Sequence, residues 1–166
     1  MGNVGMLTEN IFKSIVKNTP LVSIDLIVRN KSNEILIGKR VNRPACGYWF
    51  VPGGRIRKDE NMESAFLRLT NNELGLDISM SHGQFLGPFE HFYEDNFSND
   101  NFSTHYIVLA FELSLDVNLE DLPPQQHSQY RWVTEKEMME SDLIHTNNRF
   151  YFQREKIISS KIGSKN

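Results

Sequence analysis

GGRIRKDENMESAFLRLTNNELGL, residues 53–76, decides the fold, because it reads as a glycine loop, a helix and a glycine stop with a carboxylate in an unusual place. Wound at about 100° per residue from Asn61, the segment sets Met62, Ala65, Phe66 and Leu69 on one stripe, and Glu73 falls on that stripe at the C-terminal end. Asn61 is the expected N-cap and Gly75 the expected C′ residue. An acid on an inward stripe is costly unless it is paired or binds a cation, so Glu73 calls for an arginine or a metal.

Working outward, Thr8 can cap a first helix running through Ile11, Phe12, Ile15 and Val16, closed by Pro20. LVSIDLIV (21–28) and EILIG (34–38) read as strands around a turn at Asn30 to Asn33, which predicts a hairpin. GYWFVPGG (47–54) reads as a short strand ending in a loop. QFLGPFEHFYED and THYIVLAFEL are two further strands around the polar loop SNDNFS. The proline turn LPPQQH then leads into the strand QYRWV. Thr134 and Glu137 form a capping-box pair for a short helix, and a final amphipathic helix is expected from about Asn147. The predicted class is α+β, a mixed β-sheet sandwiched between α-helices.

The chain has 166 residues, 39% of them hydrophobic, which suits one domain over 1–166, with 1–6 as a flexible N-terminal extension and 160–166 as a flexible tail. A net charge of −3 supplies no basic footprint for nucleic acid, and Lys156, Lys161 and Lys165 read as a solvated tail. The single cysteine, Cys46, cannot close an internal disulfide, and no apolar run approaches the roughly 18 residues of a membrane span. The N-terminus lacks a charged-then-apolar signal pattern, so a cytoplasmic location is expected.

From Gly54 the spacing is G-x5-E-x7-R, followed by E-L-G-L at Glu73 to Leu76, and this resembles the signature box of the Nudix hydrolases. Gly54, Glu60, Arg68, Glu73, Gly75 and Leu76 match it. The family pattern has glutamates where this chain has Leu69 and Asn72, and an aliphatic residue at Thr70. The resemblance implies a Nudix fold and a divalent metal beside a diphosphate. A face reduced to Glu73 has charge for one Mg²⁺, for which Mn²⁺ can substitute, held by Glu73, a backbone carbonyl near Gly53 and one further side chain. The structural alternative, an ion pair of Glu73 with Arg68 at i, i+5, lies on poorly matched faces. A base must then come from elsewhere. PPQQHSQYRW offers Gln126 and His127 on a loop, although a histidine in a polar loop is often simply exposed.

Within the family, LVSIDLIV, GKRVNRPACGYWFVPGGR, FLRLTNNELGL, QFLGPFEHFYEDNF, THYIVLAFEL and QQHSQYRW, in this order, are similar to the bacterial GDP-mannose mannosyl hydrolases over roughly residues 7–155. That resemblance implies water attack with inversion at the anomeric carbon of GDP-mannose, with GDP-glucose as a further candidate substrate, giving GDP and free sugar. It implies His127 as base, Glu73, Gln126 and the Gly53 carbonyl as metal ligands, and Arg40, Arg55 and Arg68 as diphosphate or leaving-group contacts. It also places Asp25, His91 and Tyr106 around the substrate, and implies a homodimer. Several residues keep a second reading. Arg68 can orient box side chains, Asp25 can be a solvent-facing strand acid, and the aromatics Phe89, Phe92, Tyr93 and Phe97 can be core, with Tyr93 singled out as a substrate contact. Two other functions stay open: a conventional Nudix pyrophosphohydrolase attacking phosphorus, and a non-catalytic nucleotide-sugar sensor.

Overall fold

The computed structural model describes residues 7–125 and 127–153. The expected extension 1–6, Gln126 and the expected tail 160–166 lie outside these residues. Helix α1 spans Glu9–Asn18, strand β1 Leu21–Arg29, β2 Ile35–Arg40, β3 Trp49–Phe50 and β4 Gly53–Arg55. Helix α2 follows at Met62–Leu74, then β5 at Gln84–Tyr93, β6 at Thr104–Ser114, β7 at His127–Val133 and α3 at Glu135–Glu140. A 3-10 turn at Thr146–Arg149 passes into helical residues 150–153.

All seven strands join one mixed sheet of path β3-β2-β1-β6-β5, with β4 added to β1 and β7 added to β2. Strand β1 runs parallel to β6 over its whole length, from Leu21 opposite Tyr106 to Arg29 opposite Ser114. Alternation along β1 splits the core in two. Ile24, Leu26 and Val28 face Phe66, Leu69 and Leu74 of α2, whereas Ile27 faces Met138 of α3 together with Ile144, Tyr151 and Phe152. The sheet is therefore covered on both faces, as its pattern predicts.

Helix α2 forms where the sequence places it. Asn61 accepts a hydrogen bond from the Ser64 N–H at 2.8 Å, and Gly75 closes the helix at φ 70°. Ala65, Phe66, Leu69 and Glu73 are buried, but Met62, the first residue of the helix, is 38% exposed. Thr70, where the family pattern has an aliphatic residue, is fully buried with its hydroxyl satisfied: it donates to the Leu67 carbonyl at 3.0 Å and accepts from the Ile78 N–H at 3.2 Å.

Two local expectations change. The predicted hairpin is paired only at its turn, Arg29 opposite Ile35, because β1 gives its hydrogen-bonding edges to β6 and β4. The predicted glycine loop is instead strand β4, with Gly53 opposite Asp25 and Gly54 opposite Ile24. Glycine is needed there for close approach: a Cβ on Gly53 would overlap the Asp25 carboxyl and the Ile24 carbonyl, and one on Gly54 would overlap Leu69.

Candidate active site

A cleft with about 650 Å³ of empty space, its open mouth included, lies where β1, β4, β5, β6 and the start of β7 meet the C-terminal end of α2. The sequence-predicted residues Asp25, Arg40, Gly53, Arg55, Glu73, His91, Tyr93, Tyr106 and His127 all line it. Sheet and helix both contribute. Strand alternation brings His91 and Tyr93 of β5 beside Tyr106 of β6, since His91 is the register partner of Tyr106.

The floor is formed by Glu73 and His127. Glu73 is 3% exposed and His127 6%, and Nε2 of the imidazole lies 3.3 Å from Glu73 Oε2. Proximity here is not a hydrogen bond: Glu73 Oε2 and His127 Nδ1 are buried with no hydrogen-bond partner among the described residues. His127 departs from its expected loop position. It opens β7 opposite Arg40, and its ring lies over Gly38, where a Cβ would overlap it. A glycine inside the strand ILIGKR was the available signal for such a close approach.

Arginines and aromatics make the walls. Arg40 lies over the Phe50 ring at 5.1 Å and Arg55 over the Phe12 ring at 4.7 Å, contacts that pre-orient both guanidinium groups. His91 is 2% exposed, and burial, helped by the charge of His145, lowers its pKa to about 4, so the ring is neutral at pH 7. Burial also holds the Tyr93 and Tyr106 hydroxyls above their usual pKa. Burial lifts the Asp25 carboxyl to about 7 against the opposing pull of a Tyr151 hydrogen bond and the Arg40 charge. Ser23, Asn42, Phe50, Val51 and Val108 complete the lining without a motif to announce them.

Arg68 is not among the residues that line the cleft, and its contacts match its second reading, a residue that orients box side chains. Its Nε donates to Glu60 Oε1 at 2.6 Å, and its Nη2 donates to Glu60 Oε2 at 2.7 Å and to the Arg55 carbonyl at 2.9 Å. Glu60 in turn accepts from the Arg57 N–H at 2.9 Å, and the adjacent guanidinium holds its carboxyl below the usual range. This network braces the end of strand β4, which carries Arg55.

Whether a divalent cation suits the site is a question of donor chemistry. A buried carboxylate oxygen with no hydrogen bond is poorly compensated, and Glu73 Oε2 fits a hard cation that prefers oxygen. No group of three or more His, Cys, Asp or Glu able to hold a metal occurs among the described residues. An ion at Glu73 would draw its remaining oxygens from backbone, amides, water or the ligand.

A family profile described as NUDIX domain matches residues 19–153. The low-salt glycan biosynthesis protein Agl8 of Haloferax volcanii is 42% identical over 126 residues, covering 75% of this chain and 78% of that protein. An ADP-ribose pyrophosphatase of Methanocaldococcus jannaschii is 40% identical over 57 residues, 34% of this chain and 33% of that one. Among solved structures, a MutT protein from Methanosarcina mazei superposes with a TM-score of 0.68 at 19% identity, covering 86% of this chain and 97% of that one. The NUDIX domain of Shewanella oneidensis NrtR, complexed with ADP-ribose, superposes with a TM-score of 0.61 at 16% identity over 92% of this chain and 99% of that one. At those identities the superpositions speak to the fold.

Proposed function

Since the chain belongs to the Nudix family, we propose that it hydrolyses GDP-mannose to GDP and free mannose by water attack at the anomeric carbon. The observation that carries this reading is the single box carboxylate on the cleft floor: Leu69 is buried in the core and packs on Gly54, leaving Glu73 beside His127. Attack on phosphorus by family chemistry draws on several clustered carboxylates. Departure of GDP needs one cation and arginines, because the diphosphate is already a good leaving group.

Glu73 and the Gly53 carbonyl would hold the Mg²⁺, with Gln126 as a further ligand outside the described residues. When bound, the ion would neutralise charge on the departing diphosphate. The chain's own residues do the rest. Arg40 and Arg55 bind the diphosphate, already flattened against Phe50 and Phe12. His127 takes the proton of the attacking water at Nε2, the nitrogen on the Glu73 side. The water oxygen bonds to the anomeric carbon, the carbon–oxygen bond to phosphate breaks with inversion, and its electron pair leaves on GDP. Asp25, His91, Tyr93 and Tyr106 surround the sugar and its linkage, and Arg68 acts through strand β4, which it braces. A homodimer is part of the same proposal, and sedimentation at working concentration checks it.

Hydrolysis in oxygen-18 water tests the reaction. Heavy oxygen in the sugar supports carbon attack, and heavy oxygen in a phosphate overturns it. The local identity to an ADP-ribose pyrophosphatase favours phosphorus attack as the second reading. On that reading the labelled product is a nucleoside monophosphate or a sugar phosphate.

A further inference from the structure

Asp25 is gripped from two sides. On one side its Oδ1 rests against the backbone of Gly53, so closely that no side chain could stand there. On the other, the Tyr151 hydroxyl donates to Oδ2, although the two residues lie 126 apart in the chain. Tyr151 is 5% exposed and cannot swing away: its ring meets Phe89 edge-on with centroids 4.9 Å apart and packs 5.5 Å from His91. The segment that carries it is sewn to β3 by the fully buried Asn148, which accepts from the Val51 N–H at 3.0 Å and donates to the Trp49 carbonyl at 3.3 Å. Asp25 shares the cleft lining with His91, Tyr93 and Tyr106. A carboxyl group there accepts from hydroxyl donors, which a hexose supplies.

We propose that Tyr151 is a positioning residue that fixes the Asp25 carboxyl so that its remaining lone pairs meet a hydroxyl of the hexose in a nucleoside-diphosphate sugar. The C-terminal segment thereby bears on sugar recognition, while Arg40 and Arg55 bind the diphosphate. This rests on the reading of the cleft as a nucleotide-sugar site. Freezing one carboxyl orientation in advance removes an ordering cost from binding.

The test is a double-variant cycle. Tyr151→Phe keeps the ring and its packing and removes only the hydroxyl. It is expected to lower kcat/KM for GDP-mannose about tenfold, the worth of about one hydrogen bond, with calorimetric affinity for GDP alone unchanged. Asp25→Asn is expected to lose at least as much, and the double variant no more than Asp25→Asn by itself. Losses that multiply, a parallel fall in GDP affinity, or wild-type kcat/KM in Tyr151→Phe would each overturn the proposal. Should the wild type prefer another sugar nucleotide or attack phosphorus, the reaction reading fails separately. The cycle then runs on that sugar nucleotide against its own nucleoside diphosphate, and the same outcomes decide whether Tyr151 positions Asp25.

Discussion

Helix α2 takes part in two acid–base pairs, and they are in opposite states. Arg68 and Glu60 are partly buried, with side chains 21% and 13% exposed, and make a bidentate contact that the Arg55 carbonyl and the Arg57 N–H extend. Glu73 and His127 are more deeply buried, with side chains 4% and 6% exposed, yet each keeps a nitrogen or oxygen with no partner among the described residues. A network with its bonds made contributes to stability and holds geometry. A buried pair with bonds unmade costs stability and persists where a ligand completes it. The first pair builds the scaffold, and the second is the one that substrate and cation would complete under the proposed reaction.

The hardest blow to that contrast comes from Glu73→Gln. It is expected to lower the Mg²⁺-dependent rate by about 10³-fold or more, the several kcal/mol a metal supplies, while the unfolding free energy holds or rises. Steady-state rates across a magnesium titration, with urea denaturation alongside, check both halves; a retained rate at saturating magnesium would place the ion elsewhere. His127→Gln should lower kcat by about 10²- to 10⁴-fold with a smaller effect on substrate affinity, and a change confined to KM would make the imidazole a binding group. The other pair should answer in stability instead. Arg68→Ala is expected to cost about 2–3 kcal/mol in denaturation, leaving Glu60 without its main partner, and to lower kcat/KM far less than either floor variant. A collapse of activity with unchanged stability would move Arg68 to the chemical side of the comparison.

The smallest effect is a slope with pH. His91 belongs with the incomplete groups, its Nε2 buried and unpartnered among the described residues. Its folded pKa of about 4 lies below the unfolded value of 6.5, so the unfolded chain takes up the proton first as pH falls. Stability from the neutral ring is present above pH 6.5 and is lost as pH drops toward 4, by about 2 kcal/mol between 6.5 and 4.5. His91→Gln should flatten that part of the curve in denaturant titrations at the two pH values, and an unchanged slope would show that His91 does not carry it.

Much of the fold was legible because its signals are local. The α2 cap at Asn61, its stop at Gly75 and its inward stripe depend on neighbours within a few turns, and all appear as expected except Met62, which is exposed at the first turn. The alternation of β1, β5 and β6 also gave their positions. The hairpin misled because turn chemistry says where two strands meet, not which neighbours their edges choose, and β1 chose β6 and β4. His127 misled for a related reason: a polar neighbourhood in sequence says nothing about Gly38, whose bare backbone on the adjoining strand admits the ring. Arg68 carried a motif match but no indication that Glu60 would absorb its donors.

The sequence by itself determined that one acid of helix α2 turns inward, because helical period and capping are set by residues a few positions apart. It also carried the family, through residues at fixed spacing around that acid. Which groups meet the acid, and that Tyr151 grips Asp25, only the tertiary structure decided. Those meetings depend on strand register and on core packing that docks the C-terminal segment, and both are settled by burial summed over the whole sheet.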